Sequence, residues 1–108
     1  MIAAPFVYTA EELGQDLQGT MPPDVETQTT HAINHIRAIL HEGGCTLADV
    51  VSVTVYVTDL ANMKGLDSVY EKRMPKPYPV RSIVQTPIPN LPNQNPSLMA
   101  MLAIAIQP

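Results

Sequence analysis

The sequence has few of the residues that disulfide frameworks, metal cages and nucleic-acid interfaces require. Its 108 residues include one cysteine, Cys45, which excludes an intramolecular disulfide and a thiolate-rich zinc site and fits a reducing compartment. Six Lys and Arg residues against ten Asp and Glu residues give a net charge of −4, and the basic residues are scattered. A nucleic-acid backbone is bound by clustered positive charge, so we expect no nucleic-acid partner.

Long hydrophobic runs and targeting signals are also missing. The longest apolar run, residues 98–106, is about half the length that a bilayer-spanning helix needs. Residues 1–5 carry no basic residue ahead of an apolar run, so they do not read as a signal peptide. We therefore expect a cytoplasmic protein with no membrane partner. No linker or internal repeat divides the chain, which predicts a single domain over residues 1–108.

Hydrophobic periodicity predicts two helices. The first begins at Pro22-Pro23-Asp24 and ends at Gly43-Gly44, because apolar residues recur between them at steps of three and four. The second begins near Asn62 and must end before Pro75, which cannot continue a helix. Its inward positions include Met63 and Tyr70, for which core packing is the plain interpretation.

Strands are predicted at residues 2–9, 49–58, 80–86 and 98–106, with a turn-rich loop after the first and a proline-rich loop at 87–96. Strict alternation in the second strand places four valines on one face, namely Val51, Val53, Val55 and Val57. The predicted class is α+β, with two helices on one face of a sheet. The other face stays apolar and uncovered, so we expect a second subunit there and a closed cyclic oligomer.

Arg81 is the most informative charged residue. It lies inside a predicted strand between Val80 and Ser82, where a lone guanidinium is costly unless it meets an anion. Two interpretations remain open: bidentate capture of a substrate carboxylate at a subunit cleft, or a structural ion pair or exposed edge position. No Asp or Glu follows Glu71, so an acidic partner must come from earlier in the chain.

Other reactive side chains give weaker signals. His31 and His35 have metal-ligand spacing, but the helical period turns both away from the apolar face, and we expect neither a metal site nor a cofactor. Cys45 follows the glycines that end the first helix and is expected to be a small buried or capping residue. Glu11 belongs to an acidic pair after the first strand, which is either an exposed turn or a proton acceptor near a cleft.

Three segments together resemble the Rid family of reactive-intermediate deaminases, also called the YjgF family. They are residues 28–59 (QTTHAINHIRAILHEGGCTLADVVSVTVYVTD), 63–70 (MKGLDSVY) and 79–84 (PVRSIV), with the final LAIAI as a weaker fourth match. The resemblance implies a chorismate-mutase-like fold, a mixed sheet covered by two helices on one face. It also implies assembly as a homotrimer with a cleft between neighbouring subunits.

The resemblance also implies roles for individual residues. Arg81 corresponds to the residue that holds the carboxylate of an imino or enamino acid, which water hydrolyses to a keto acid and ammonia. Thr9 and Glu11 lie where the family has a Ser-Gly-Gln turn, and Thr9 can keep the hydroxyl contact. Three further positions match the surroundings of the cleft: Met63, Tyr70 and Asp67, the last of which is asparagine in many members.

Three departures from the family pattern affect the site. The last strand reads Met99-Ala100-Met101-Leu102, without the glutamate that orients water in many active members, and Glu11 is the candidate replacement. Ile83 stands where imine deaminases often have cysteine. The family's usual first strand and its cleft-lining tyrosine are expected to be absent, since Met1 lies just before the apparent second strand.

The hypotheses are therefore an enamine or imine deaminase, a non-catalytic trimer that binds small carboxylates, and a protein-interaction module. Some relatives have been given a ribonuclease activity, but the acidic balance of this chain argues against it.

Overall fold

The two helices lie where the sequence predicts them. The computed structural model describes residues 2–3 and 5–108 of the chain. Helix α1 (Val25–Glu42) is capped by Asp24, whose carboxylate accepts a hydrogen bond of 2.9 Å from the backbone N–H of Thr27. This bond satisfies one of the helix's free amide groups. The Thr27 hydroxyl, which also donates to the Asp24 carboxylate, and this backbone bond together lower the pKa of the Asp24 carboxyl. Helix α2 (Met63–Arg73) ends two residues before Pro75.

The described residues form one mixed sheet of six strands. These are β1 (Ile2–Ala3), β2 (Phe6–Tyr8), β3 (Glu12–Leu13), β4 (Val50–Val57), β5 (Val80–Gln85) and β6 (Met99–Ile106). Their order is β1-β2-β6-β4-β5, with β3 paired to β6 beyond the end of β2. The pair β4 and β5 is parallel, and the other pairs are antiparallel. The predicted α+β class is confirmed.

The start of the chain differs from the prediction of one strand over residues 2–9. The segment folds into a hairpin, with Ile2 opposite Val7, and Pro5 lies in the turn. Proline has no N–H to give to a strand ladder, which accounts for the break. Residue 4 of that prediction lies outside the described residues. The loop that was predicted to follow contains the additional strand β3.

In strand β4, the structure differs from the prediction at one residue, Val51. The register with β6 shifts between Val50 and Ser52, as at a β-bulge. The prediction that Val51 shares the face of Val53, Val55 and Val57 is therefore wrong: Val51 is 40% exposed, and Val50 is buried in its place. Unbroken alternation cannot anticipate an extra residue in the ladder, because a bulge reverses the faces of everything before it.

The core lies between the helices and one face of the sheet. Helix α1 contributes Ile33, Ile36 and Leu40, which are at most 2% exposed, and α2 contributes Leu66 and Tyr70. The sheet residues that face the helices are those on the same face as Val53. Val53 is paired with Ala103 on β6 and with Arg81 on β5. The side chain of Arg81 thus leaves the backbone on the helix-covered face, in the edge strand of the sheet.

Gln28 links α1 to the proline-rich loop. Its side chain is fully buried and makes three hydrogen bonds to backbone groups. Its Nε2 donates to the carbonyls of Pro22 and Pro96 at 2.9 and 3.0 Å, and its Oε1 accepts from the N–H of Leu98 at 2.9 Å. Gly14 packs directly on it, because a Cβ at position 14 would lie 2.4 Å from the Gln28 Cβ. This buried amide therefore fixes where β6 begins.

The opposite face of the sheet has no helix in the described residues. This face carries Ser52, Thr54 and Tyr56 of β4, together with the side chains of β2, β5 and β6 that are aligned with them in the sheet. Its apolar members include Phe6, Tyr8, Tyr56, Val80, Val84, Leu102, Ile104 and Ile106. Of these, Val80 is 74% exposed and Val84 41% exposed. We call this surface the open face.

We predict that Gln28→Met lowers the free energy of unfolding by about 3 kcal/mol, because three backbone groups lose their partner in a buried place. Urea denaturation at a fixed protein concentration measures the change. Gln18→Met is the matched control, since Gln18 is exposed, and should change the free energy by less than about 0.5 kcal/mol. Equal effects of the two substitutions would contradict the role given to Gln28.

Candidate functional site

Arg81, Asp67 and Tyr70 form a compact cluster at the sheet edge. The Arg81 Nη1 lies 2.6 Å from the Asp67 Oδ1, and the guanidinium carbon lies 4.7 Å from the centroid of the Tyr70 ring. Positions 67, 70 and 71 are neighbours on one face of α2, and Asp67 and Tyr70 on that face contact Arg81 near the start of β5. The expected acidic partner from earlier in the chain is thus Asp67.

This cluster lines a small cavity of about 200 Å³, which we call the anchor cavity. Its remaining walls are Glu71, Tyr78 and Pro79. The side chains of Arg81 and Asp67 are 24% and 34% exposed, so both charges are reachable from solvent. Arg81 Nε and Nη2, and the second oxygen of Asp67, have no hydrogen-bond partner among the described residues. The cavity therefore offers donors and an acceptor side by side.

Tyr70 has a buried hydroxyl without a partner. The residue is 3% exposed, and its Oη makes no hydrogen bond to any described residue. Burial raises the pKa of the phenol, and the nearby Arg81 charge lowers it in part. The hydroxyl therefore stays protonated and carries an unused donor beside the anchor cavity.

The other two predicted binding residues lie near this cluster without sharing in its contacts. Ile83 is two positions beyond Arg81 on β5 and is 43% exposed. Met63 opens α2 and packs partly buried against the core. Neither lines the anchor cavity.

Glu11 lines a different cavity, of about 440 Å³, which we call the acid cavity. Tyr56 and Ala100 of the open face form its floor, and Thr86 and the loop after β5 form its wall. Ala100, one of the four residues in the stretch of the last strand that lacks the family glutamate, thus shares a cavity with Glu11. Sequence reasoning missed Tyr56 and Thr86, although the alternation of β4 places Tyr56 on that face.

Thr9 lies beside β6 and is 8% exposed. Its Oγ1 accepts a hydrogen bond from the N–H of Ala103 and donates one to the carbonyl of Ala10, both at 2.9 Å. The hydroxyl is therefore used in joining the first segment to the sheet. This contact sets the path of the chain into Glu11.

The anchor and acid cavities are separate within one chain. Strands β6 and β4 lie between β3 and β5, so Glu11 and Arg81 are separated by at least roughly 14 Å, the width of three strand spacings. They also belong to opposite sides of the sheet, since Arg81 shares the register of inward Val53 and the acid cavity opens on the open face. One subunit therefore cannot bring these two residues to the same small molecule.

The remaining candidate side chains do not join either cavity. Cys45 is 2% exposed, and burial raises the pKa of its thiol, which keeps it protonated and unreactive. His35 was predicted to face solvent but is half-buried, with its Nε2 2.7 Å from the carbonyl oxygen of Gln15. The loop before α1 folds back over this histidine, which helical periodicity alone does not reveal.

The described part of the chain also bears on metal binding and on membrane insertion. No group of three or more His, Cys, Asp or Glu residues there is arranged to hold a metal ion. No helix in it is both long enough and apolar enough to cross a membrane.

We predict that Tyr70→Phe leaves the free energy of unfolding unchanged or raises it by up to about 1 kcal/mol, because a buried hydroxyl without a partner is removed. Thermal or urea unfolding at fixed protein concentration measures this. Tyr78→Phe is the matched comparison, since the Tyr78 hydroxyl donates to the Glu71 carbonyl at 3.0 Å. A loss above about 1 kcal/mol in Tyr70→Phe would mean that its hydroxyl has a partner in the folded protein.

Comparison with known proteins gives consistent matches to one family. A family model described as Endoribonuclease L-PSP matches residues 1–106. A RutC family protein of Pyrococcus abyssi is 37% identical over 94 residues, which cover 87% of this chain and 68% of that protein. The putative reactive intermediate deaminase TdcF of Escherichia coli is 31% identical over 70 residues, 62% of this chain and 54% of TdcF. The match thus spans about half the length of TdcF.

Solved structures agree with the sequence matches. RidA from the Antarctic bacterium Psychrobacter sp. PAMC 21119 is 27% identical and superposes with a TM-score of 0.86 over 98% of this chain and 84% of that one. Escherichia coli TdcF with bound serine is 26% identical, with a TM-score of 0.85 over 100% of this chain and 85% of that one. The chorismate-mutase-like fold is therefore confirmed, and this chain belongs to the Rid (YjgF) family.

Proposed function

We propose that this protein is a deaminase that hydrolyses a small 2-imino or enamino carboxylic acid to a keto acid and ammonia, in a cleft between subunits. The observation that carries the proposal is the set of contacts that the Arg81 guanidinium makes and leaves unmade. Its guanidinium is held by Asp67 and the Tyr70 ring, while Nε and Nη2 remain free at the anchor cavity. A planar fork of N–H groups suits a carboxylate.

The names of relatives support the same chemistry. TdcF and a chloroplastic relative from Arabidopsis thaliana are both described as reactive intermediate deaminases. The TdcF structure holds serine, a small ligand that carries a carboxylate. A small carboxylate-bearing molecule is therefore the class of substrate we assign to the anchor cavity.

The hydrolysis needs a positioned water in addition to an anchor. Water adds to the carbon of the C=N bond, a proton moves from the added oxygen to nitrogen, and the C–N bond breaks to give the keto acid and ammonia. A carboxylate near the water can accept the first proton. We assign that role to Glu11, which lines the acid cavity beside the Ala100 position.

Assembly would bring the two cavities together. The open face presents apolar side chains without cover in a single chain, which is expensive in water unless another subunit packs on it. In a homotrimer, the open face of each subunit would be covered by neighbouring subunits. The acid cavity of one subunit would then lie near the anchor cavity of the next. The active unit is then the pair of neighbouring subunits.

The remaining site residues have supporting roles in this proposal. Tyr70 supports the guanidinium with its ring, and Thr9 holds the segment that carries Glu11. Met63 and Ile83 supply apolar surface near the substrate side chain. The lone buried thiol of Cys45 fits a protein that works in the cytoplasm.

We predict that Arg81→Ala lowers kcat/KM for imino-acid hydrolysis about 100-fold, because the carboxylate loses its charge-assisted partner. An amino-acid oxidase generates the imino acid, and release of keto acid above the rate without protein is measured. Arg37→Ala is the control, since it removes the same charge from an exposed helix position. Full activity in correctly folded Arg81→Ala protein, or no acceleration by the wild type for any side chain, would refute the proposal.

We predict that Glu11→Gln also lowers the rate about 100-fold, whereas Glu12→Gln changes it less than threefold. Glu12 is a fair control because it adjoins Glu11 but pairs with Met101, on the helix-covered side of β6. Mixed oligomers of Arg81→Ala and Glu11→Gln subunits then test the shared site. Random assembly makes about a quarter of the interfaces intact, so about a quarter of the wild-type rate should return.

Purification with two different tags removes the parental trimers. Each remaining mixed trimer has one intact interface, so about a third of the wild-type rate should return after this step. If Arg81 and Glu11 acted within one chain, every subunit of the mixture would lack one of them and no activity would return. That result, from mixtures confirmed to contain both subunits, would overturn the assignment of the site to two subunits.

A further inference from the structure

Asp67 changes the charge that the anchor cavity offers to a ligand. Its Oδ1 is bonded to Arg81 at 2.6 Å, so the only guanidinium of the cavity is already matched by a carboxylate. A second carboxylate, that of Glu71, lies on the wall of the same cavity. The residues that line the cavity therefore carry two carboxylates and one guanidinium, and the ammonium of Lys76 lies outside this lining, 5.9 Å from the Tyr78 ring.

A ligand whose only charge is a carboxylate fits this cavity poorly. It can reach the free Nε and Nη2 of Arg81, but it must then lie beside the Asp67 carboxylate with no positive charge of its own. Like charges within a few ångströms repel, and both groups are partly withdrawn from water. Arg81 alone would select any small carboxylate, whereas Arg81 with Asp67 does not.

A ligand with an added positive charge resolves the mismatch. Its carboxylate can take the free edge of Arg81 while its cationic nitrogen donates to the free oxygen of Asp67. Both pairs are charge-assisted hydrogen bonds, which are the stronger kind. The unpartnered hydroxyl of Tyr70, in the same cluster, is a further sign that a polar partner is missing from this place.

We propose that Asp67 makes the anchor cavity selective for zwitterions, that is, for a 2-amino or protonated 2-imino carboxylate rather than a simple carboxylate. This inference rests on the proposed function. It makes Asp67 a specificity-determining residue that contacts the substrate nitrogen, and it names the protonated imine, the 2-iminio carboxylate, as the bound substrate form.

The selectivity favours substrate over product. The 2-iminio carboxylate and water give a 2-oxo carboxylate and an ammonium ion, so atoms and charge balance and the nitrogen leaves with its positive charge. The product that stays next to Arg81 then carries only the carboxylate. Asp67 holds the substrate and repels this product, which would speed its release.

The test compares two ligands that differ in one group. Alanine and lactate have the same carbon skeleton and carboxylate, but alanine has an ammonium group where lactate has a hydroxyl. Calorimetric titration of the wild-type oligomer should give at least about tenfold tighter binding of alanine. Asp67→Asn keeps the size of the side chain and an oxygen for Arg81. It should strengthen lactate binding and weaken alanine binding, so that their ratio falls at least about tenfold.

Glu42→Gln serves as the control, because it removes one negative charge from an exposed position at the end of α1. It should leave the ratio within threefold of the wild type. Inhibition of imino-acid hydrolysis by pyruvate gives a second measurement: the inhibition constant should fall at least about tenfold in Asp67→Asn and stay unchanged in Glu42→Gln. Oligomer size and unfolding are checked for each variant.

The outcomes separate this inference from the proposed function. Equal affinity of the wild type for alanine and lactate, including no detectable binding of either, overturns it, as does an unchanged ratio in folded Asp67→Asn. In those cases deamination that is lost in Arg81→Ala would still support the proposed function. Conversely, a ratio that depends on Asp67 in a protein without deaminase activity would support zwitterion selection and count against hydrolysis.

Discussion

The organisation of this protein follows from one constraint: two helices can cover only one face of a six-stranded sheet. On the covered face, β4 and β6 meet the apolar stripe of α1, and the buried amide of Gln28 sets where β6 begins. On the other face, aromatic and branched side chains remain open in the single chain. The two cavities therefore lie at the margins of the sheet. One lies where Asp67 and Tyr70 of α2 contact Arg81 of β5, and the other lies where the segment before β3 meets β6.

The same constraint explains how a guanidinium is accommodated. Arg81 begins on the covered face, where an unpaired charge would be costly, but β5 is the edge strand and its side chain can reach past the core. Asp67 and the Tyr70 ring, one helical turn apart on α2, balance the charge without enclosing it. An arginine that is paired yet still partly accessible is stable in the empty protein and remains available to a ligand.

Much of the fold could be predicted from the sequence, because helix caps, proline positions and apolar periods are local signals. The cluster around Arg81 could also be predicted, since acids are absent after Glu71 and the segment 63–70 resembles the family. Val51 could not be placed correctly, because a bulge reverses the faces of a strand and leaves no mark in its composition. His35 and the cavity of Glu11 depend on how loops fold onto distant elements, which no local period encodes.

The position of Glu11 has a physical reason in the strand that it adjoins. Strand β6 is central, with neighbours on both sides, and its open-face residues would be buried again if another subunit covered them. A carboxylate within that strand would then need a built partner, whereas Ala100 and Leu102 need none. Glu11 lies outside the strand, next to the irregular junction that Thr9 makes with Ala103, and is exposed. An acid carried there stays hydrated in the free chain and still faces the same cavity as Ala100. In the proposed reaction it would act on water without placing a charge inside the central strand.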